Sequence, residues 1–232
     1  MNILMLSSSQ YLDTGYLTHA QSMIEEHLTS VDELLFIPYA GVTVSWDDYL
    51  TKVQQALPDI SIKGIHDFND PIGAVRQAQA VAVGGGNTFN LLHTLYQNKL
   101  IEVIRERVSC GMPYIGWSAG SNICGNSIRT TNDMPIIQPE SFDALQLVPF
   151  QLNPHYSDYQ PPGHNGETRA ERLAEFITLN PTMPVVGIRE GAALKYEGEK
   201  LTLIGEAGGL ILTQSDTKNI EIGQDISHLL MA

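Results

Sequence analysis

Five short apolar runs punctuate the first half of the chain, at residues 2–6, 34–37, 60–65, 80–83 and 114–117. Stretches with helical spacing separate them. Tyr16, Leu17, Ala20, Met23, Ile24 and Leu28 follow the first run, and Trp46, Tyr49, Leu50, Val53 and Leu57 follow the second. Residues 71–79, 89–96 and 101–108 read as further helices. Apolar runs of this length between amphipathic helices predict a mostly parallel, doubly wound α/β sheet with helices on both faces, a three-layer sandwich. At 232 residues the chain can bury the core of one such domain, spanning 1–232. Ligands bind such sheets beyond the C-terminal ends of the strands. The polar loop Ser7-Ser8-Ser9, the glycine run Gly84-Gly85-Gly86 and Ser118 all fall at that edge.

Ser118 sits in Tyr114-Ile115-Gly116-Trp117-Ser118-Ala119-Gly120-Ser121, an apolar strand running into a Gly-x-Ser-x-Gly turn and then into small, helix-compatible residues. A serine on a tight strand-to-helix turn projects its hydroxyl out of the sheet, and flanking glycines let the backbone bend sharply and a substrate approach. The N–H of the next residue, Ala119, can face a developing oxyanion near a helix start. Backbone N–H groups of the Gly84–Gly86 run would supply the other half of that hole. The run fits no phosphate-binding pattern, since Asn90 replaces the last glycine of a Gly-x-Gly-x-x-Gly and no Gly-Lys-Ser/Thr follows.

A serine nucleophile needs a base. His19, His27 and His93 fall on predicted helices, His66 in a polar turn and His228 near the end of the chain. His155 follows Asn153-Pro154 at the end of an expected strand over 145–152, and the proline restrains its backbone, so His155 is the expected base. His164 falls in the Pro/Gly-rich stretch 157–166, an expected loop or lid, and is read as a substrate contact. The third member of a triad is open between Asp133, in an irregular polar segment, and Glu190, at the end of an expected strand over 185–188. A helix over 167–178 and short strands at 193–196, 201–203 and 210–212 complete the reading.

Composition narrows the partners. There are 26 acidic against 13 basic residues, a formal net charge of −13, which disfavours nucleic acid and anionic membrane. No stretch is long and apolar enough to span a bilayer, and residues 1–6 lack the basic start of a signal peptide. Cys110 and Cys124 show no metal-ligand spacing; both are expected to be buried free thiols, consistent with a cytoplasmic protein. The sequence leaves open whether the chain pairs as a homodimer.

Several motifs run longer than chance would supply. Gly84-Gly85-Gly86-Asn87-Thr88-Phe89, Ile115-Gly116-Trp117-Ser118-Ala119-Gly120, Ile128-Arg129-Thr130-Thr131-Asn132-Asp133-Met134-Pro135 and Asn153-Pro154-His155 resemble the peptidase E family, serine peptidases of family S51. Phe36-Ile37-Pro38-Tyr39-Ala40-Gly41-Val42-Thr43 and Gly163-His164-Asn165-Gly166-Glu167-Thr168-Arg169 add to the resemblance, which extends to about Glu190. It implies a fold like the class I glutamine amidotransferases, with serine in place of their cysteine, no metal or other cofactor, and hydrolysis of small Asp-X dipeptides. By motif, Ser118 is the nucleophile, His155 the base, and Gly86 and Asn87 the oxyanion donors; the acid stays open, Glu190 slightly favoured. Ser121 departs from the family's usual alanine, and residues 192–202 diverge further. An aspartyl substrate requires a cation, for which Arg169 is the first choice and Arg129 the reserve. Two rival readings are a β-aspartyl hydrolase of the same fold, as in cyanophycinase-like relatives, and a non-catalytic α/β protein binding a small ligand.

Overall fold

The computed structural model describes residues 1–163 and 165–231. Its larger sheet has seven strands, named in chain order: β1 (Asn2–Leu6), β2 (Glu33–Ile37), β3 (Ser61–Gly64), β4 (Ala80–Val83), β5 (Tyr114–Trp117), β8 (Ala192–Glu197) and β9 (Lys200–Gly205). They lie in the order β3-β2-β4-β5-β1-β8-β9. The first five in that order are parallel; β8 and β9 close one edge as antiparallel strands. Register aligns the strand ends: Leu6 faces Trp117, and Val83 faces both Gly116 and Ile37. Ser7, Pro38, Gly84 and Ser118 therefore leave the sheet side by side.

Side chains alternate along each strand, and both faces are buried. Leu4, Leu6, Phe36 and Trp117 pack under α1 (Gln21–His27) and α2 (Trp46–Ala56), with Ile24, Tyr49 and Val53 on the helix side. Ile3, Met5, Ile37 and Val83 pack on the opposite face under α4 (Thr88–Gln97) and α5 (Ile101–Ser109). The short α3 (Pro71–Gln77) is capped by Asp70, whose side chain accepts from Gly73 N–H.

A second sheet departs from expectation. β6 (Gln151–Asn153) runs parallel to β7 (Val185–Ile188), which pairs antiparallel with β10 (Gly209–Leu212), itself paired with β11 (Thr217–Ile220). The expected strand over 145–152 shrinks to β6 because the residues before it are used elsewhere. The N–H groups of Leu145 and Leu147 bond to Ile123 and Cys124 carbonyls, at the end of α6 (Ala119–Asn122), and Gln146 takes a positive φ. The helix expected over 167–178 is α7 (Arg169–Leu179), because Thr168 and Glu171 form a reciprocal capping box that fixes its start. The first helical stretch breaks into a 3-10 turn at Thr18–Ala20 and α1. Cys124 is buried, but Cys110, expected to be buried, is exposed beyond the end of α5. Among the described residues no helix is long and apolar enough to cross a membrane.

Candidate active site

Ser118 sits between β5 and α6 with φ 53° and ψ −113°, a conformation that an L residue rarely adopts. The turn is held because α6 packs directly on the sheet. A Cβ at Gly120 would lie 2.1 Å from the Val83 carbonyl oxygen, so only glycine lets the helix approach this closely. Ser121, the departure noted in the sequence, is fully buried; its hydroxyl lies 2.6 Å from the Leu6 carbonyl and 2.8 Å from that of Gly116, tying the helix to two strands.

His155 comes from the second sheet. Asn153 of β6 stands opposite Gly187 of β7, so Pro154-His155 and Arg189-Glu190 emerge together from adjacent parallel strands. The His155 N–H donates to Ser7 Oγ at 2.9 Å, and that hydroxyl donates to the Ile188 carbonyl at 2.8 Å. Ser7 thus clamps the end of the second sheet to the end of β1. The sequence marks it only as part of a polar loop. The resulting line of groups is short: His155 Nε2 lies 3.0 Å from Ser118 Oγ, and His155 Nδ1 lies 2.7 Å from Glu190 Oε1. A proton on Nδ1, shared with the carboxylate, leaves Nε2 to accept from the serine.

The other candidate acid lies apart from this line. Asp133 Oδ2 accepts from Thr88 N–H at 2.7 Å, Thr88 Oγ1 at 2.5 Å and Thr131 Oγ1 at 3.2 Å. It is bound to the start of α4, not to His155. Asp133 Oδ1 receives no hydrogen bond from the described residues.

Of the expected oxyanion donors, Gly86 and Ala119 have N–H groups without a protein acceptor among the described residues, and Asn87 does not. Gly86 has φ +137°, and a Cβ there would lie 2.2 Å from the Ala40 carbonyl oxygen. Its N–H finds no protein acceptor among the described residues. Ala119 is the first residue of α6 and has no intrahelical acceptor. The Asn87 N–H instead donates to the Ala40 carbonyl at 2.8 Å, and its side chain caps α4 and donates to the Met134 carbonyl. Asn87 is a structural cap. Tyr49 supports the Gly85–Gly86 peptide: its hydroxyl donates to the Gly85 carbonyl at 2.9 Å and accepts from Trp117 Nε1 and Tyr16.

Two cavities meet at Ser118 and His155, the residues they share. The smaller, about 250 Å³, is walled by Thr88, Asn132, Asp133 and Arg169 among others. Arg169 Nη1 donates to Asn132 Oδ1, and burial lowers the arginine's pKa from its ordinary value, though a guanidinium remains charged. The larger cavity, about 740 Å³, is bounded by Tyr16, residues 40–44, Tyr49, Lys52, Gly85, Gly86 and Ile136. Arg129, the reserve cation, lines neither: it is exposed, 5.4 Å from the Phe142 ring centroid and 4.0 Å from Asp143. His164 lies outside the described residues. The described part of 157–166, expected to enclose the site, also lines neither cavity; Asp158 is held by Arg189 at 2.5 Å and by Tyr156 at 3.0 Å. A His/Asp group with metal-like spacing, Asp47, His66 and Asp67, lies outside both cavities.

Comparison with known proteins places the chain in a family. The family model described as "Peptidase family S51" matches residues 3–204, past the point where the motif resemblance fades. A protein named "Peptidase E" from Shewanella baltica is 54% identical over 235 residues, covering 100% of this chain and 99% of the relative. One of the same name from Shewanella amazonensis is 55% identical over 235 residues, covering 99% and 100%. The solved structure of a peptidase from an acI-B1 Actinobacterium superposes with a TM-score of 0.71 at 20% identity, covering 97% of this chain and 96% of that one, a likeness of fold.

Proposed function

The chain belongs to peptidase family S51, and from that premise we propose that it hydrolyses the bond after an N-terminal aspartate through an acyl-enzyme on Ser118. It is a serine-type dipeptidase with the class I glutamine amidotransferase-like fold. The observation that carries the mechanism is the Ser118–His155–Glu190 line, with contacts of 3.0 and 2.7 Å, at the seam of two cavities.

In this reading Ser118 Oγ attacks the carbonyl carbon of the aspartyl residue as His155 Nε2 takes its proton. Glu190 holds the imidazole in the tautomer that can accept and then steadies the imidazolium. The Gly86 and Ala119 N–H groups meet the oxyanion. His155 returns the proton to the leaving amine, the C–N bond breaks, and water attacks the ester to release free aspartate. The smaller cavity takes the aspartyl residue, with Arg169 facing its side-chain carboxylate and Asp133 Oδ1 receiving its free ammonium. The half-buried guanidinium gains a charge-assisted pairing with that carboxylate and none with a neutral side chain, which favours aspartate over leucine. A cytoplasmic location is part of the proposal, supported by two unbridged cysteines, one of them exposed.

The test compares α-Asp-Leu, Leu-Leu, N-acetyl-Asp-Leu and β-Asp-Leu, with wild type and Ser118→Ala, in the presence of a chelator. Cleavage of α-Asp-Leu alone, lowered by about 10⁴- to 10⁶-fold in the variant, is expected. Cleavage of β-Asp-Leu instead would reassign the linkage. No cleavage of any, with Ser118 inert to a small serine-reactive reagent, would favour a binding protein.

A further inference from the structure

One cation stands on each side of Ser118. Arg169 lines the smaller cavity, and among the described residues lining the larger one Lys52 alone is a lysine or arginine. Lys52, an exposed residue of α2, forms no ion pair within 4.0 Å among the described residues; Lys99 and Lys200 form none either, whereas Lys63, Lys195 and Lys218 each do. Lys52 Nζ instead lies 4.1 Å from the centroid of the Tyr16 ring, which lines the same cavity. That ring is fixed in turn by the hydrogen bond from the Tyr16 hydroxyl to Tyr49 at 3.2 Å. A cation–π contact holds an ammonium in place without neutralising it, and leaves its N–H groups for an anion.

An Asp-X dipeptide carries two carboxylates, one on each side of the scissile bond. With the aspartyl side chain toward Arg169, the C-terminal carboxylate falls on the other side of Ser118. It sits about one residue, roughly 3.5 Å of extended chain, beyond the leaving nitrogen. We infer that Lys52 receives the free C-terminal carboxylate of the substrate and thereby restricts the enzyme to dipeptides. The inference rests on the aspartyl dipeptidase reading given above. Volume does not set the limit, because a cavity of about 740 Å³ has room for more than one residue. Charge does: in a tripeptide a neutral amide stands where the carboxylate would meet Lys52, and the charge-assisted pairing is lost.

The experiment measures kcat and KM for Asp-Leu and for its C-terminal amide, with wild type, Lys52→Met and Lys52→Arg. Wild type should prefer the acid. Lys52→Met should lower kcat/KM for the acid about tenfold or more, chiefly through KM, and lower that for the amide far less, so that the preference collapses. Lys52→Arg should restore most of it. A Lys52→Met enzyme that keeps the wild-type preference, whether its rates fall together or stay unchanged, would overturn the assignment and leave the aspartyl dipeptidase reading standing. A wild type that cleaves neither compound would overturn both.

Discussion

The two cavities at Ser118 are built from different materials. In the smaller one the polar groups hold one another: Asp133 accepts from Thr88 and Thr131, Asn132 Oδ1 accepts from both Asn153 and Arg169, and Asn132 Nδ2 donates to the Pro154 carbonyl. In the larger one Tyr49 and Lys52 of α2 stand beside a wall that is mostly loop, with Val42, Val44 and Ile136 exposed by 53, 38 and 57%. Fixed polar groups are costly to leave unpaired, so they reject a side chain that cannot satisfy them. An open apolar wall discriminates weakly, because one methylene more or less changes little. On the proposed reading, side-chain selection lies on the aspartyl side and side-chain tolerance on the leaving side, where only the terminal carboxylate is read, with the chemistry at the seam.

The largest effect should come from the seam itself and separates the two acids. Glu190→Gln should lower kcat by about 10⁴-fold with KM for Asp-Leu little moved, because the imidazole loses the carboxylate that fixes its tautomer. Asp133→Asn should act mainly on KM, and N-acetyl-Asp-Leu, which has no ammonium, should not gain from it. A collapse of kcat in Asp133→Asn with a near-normal Glu190→Gln would reverse the assignment.

Arg169→Ala follows. Loss of a charge-assisted pairing predicts a fall of about 10- to 100-fold in kcat/KM for Asp-Leu, with no change in the ranking of second residues. A changed ranking would show that the two cavities do not act separately. The smallest effect tests the backbone wall. Tyr49→Phe removes the donor to the Gly85 carbonyl, the other end of the peptide whose N–H is that of Gly86. A roughly tenfold drop in kcat at constant KM is expected; equal losses in thermal stability and in kcat for every substrate would mark Tyr49 as structural only.

Much of this was legible in the sequence, for a physical reason. β1, β2, β4 and β5 are continuous apolar runs, and the Ser118 turn is a local motif, so short-range pattern was enough. Strands of the second sheet were legible at 185–188 and 210–212, but their assembly was not. β6 is three residues long, and its pairing with β7 joins segments about 34 residues apart, as the register Asn153 to Gly187 shows. The choice between Asp133 and Glu190 depends on that pairing, since each is a loop carboxylate by local reading. Arg129 and Arg169 are likewise alike until the fold turns one to the surface and the other into a cavity. Asn87 is expected among the oxyanion donors because its motif neighbours the glycine run, while the acceptor of its N–H is Ala40, 47 residues earlier. Local signals reveal elements; long-range pairing reveals which side chains meet.

The most direct test of the two-sided account is a pair of substrate series on the wild-type enzyme. One varies the first residue in Asp-Leu, Asn-Leu, Glu-Leu and Leu-Leu; the other varies the second in Asp-Leu, Asp-Ala, Asp-Lys and Asp-Gly. The account predicts that kcat/KM falls steeply across the first series and changes by much less across the second. A second series as steep as the first, or a flat first series, would contradict it.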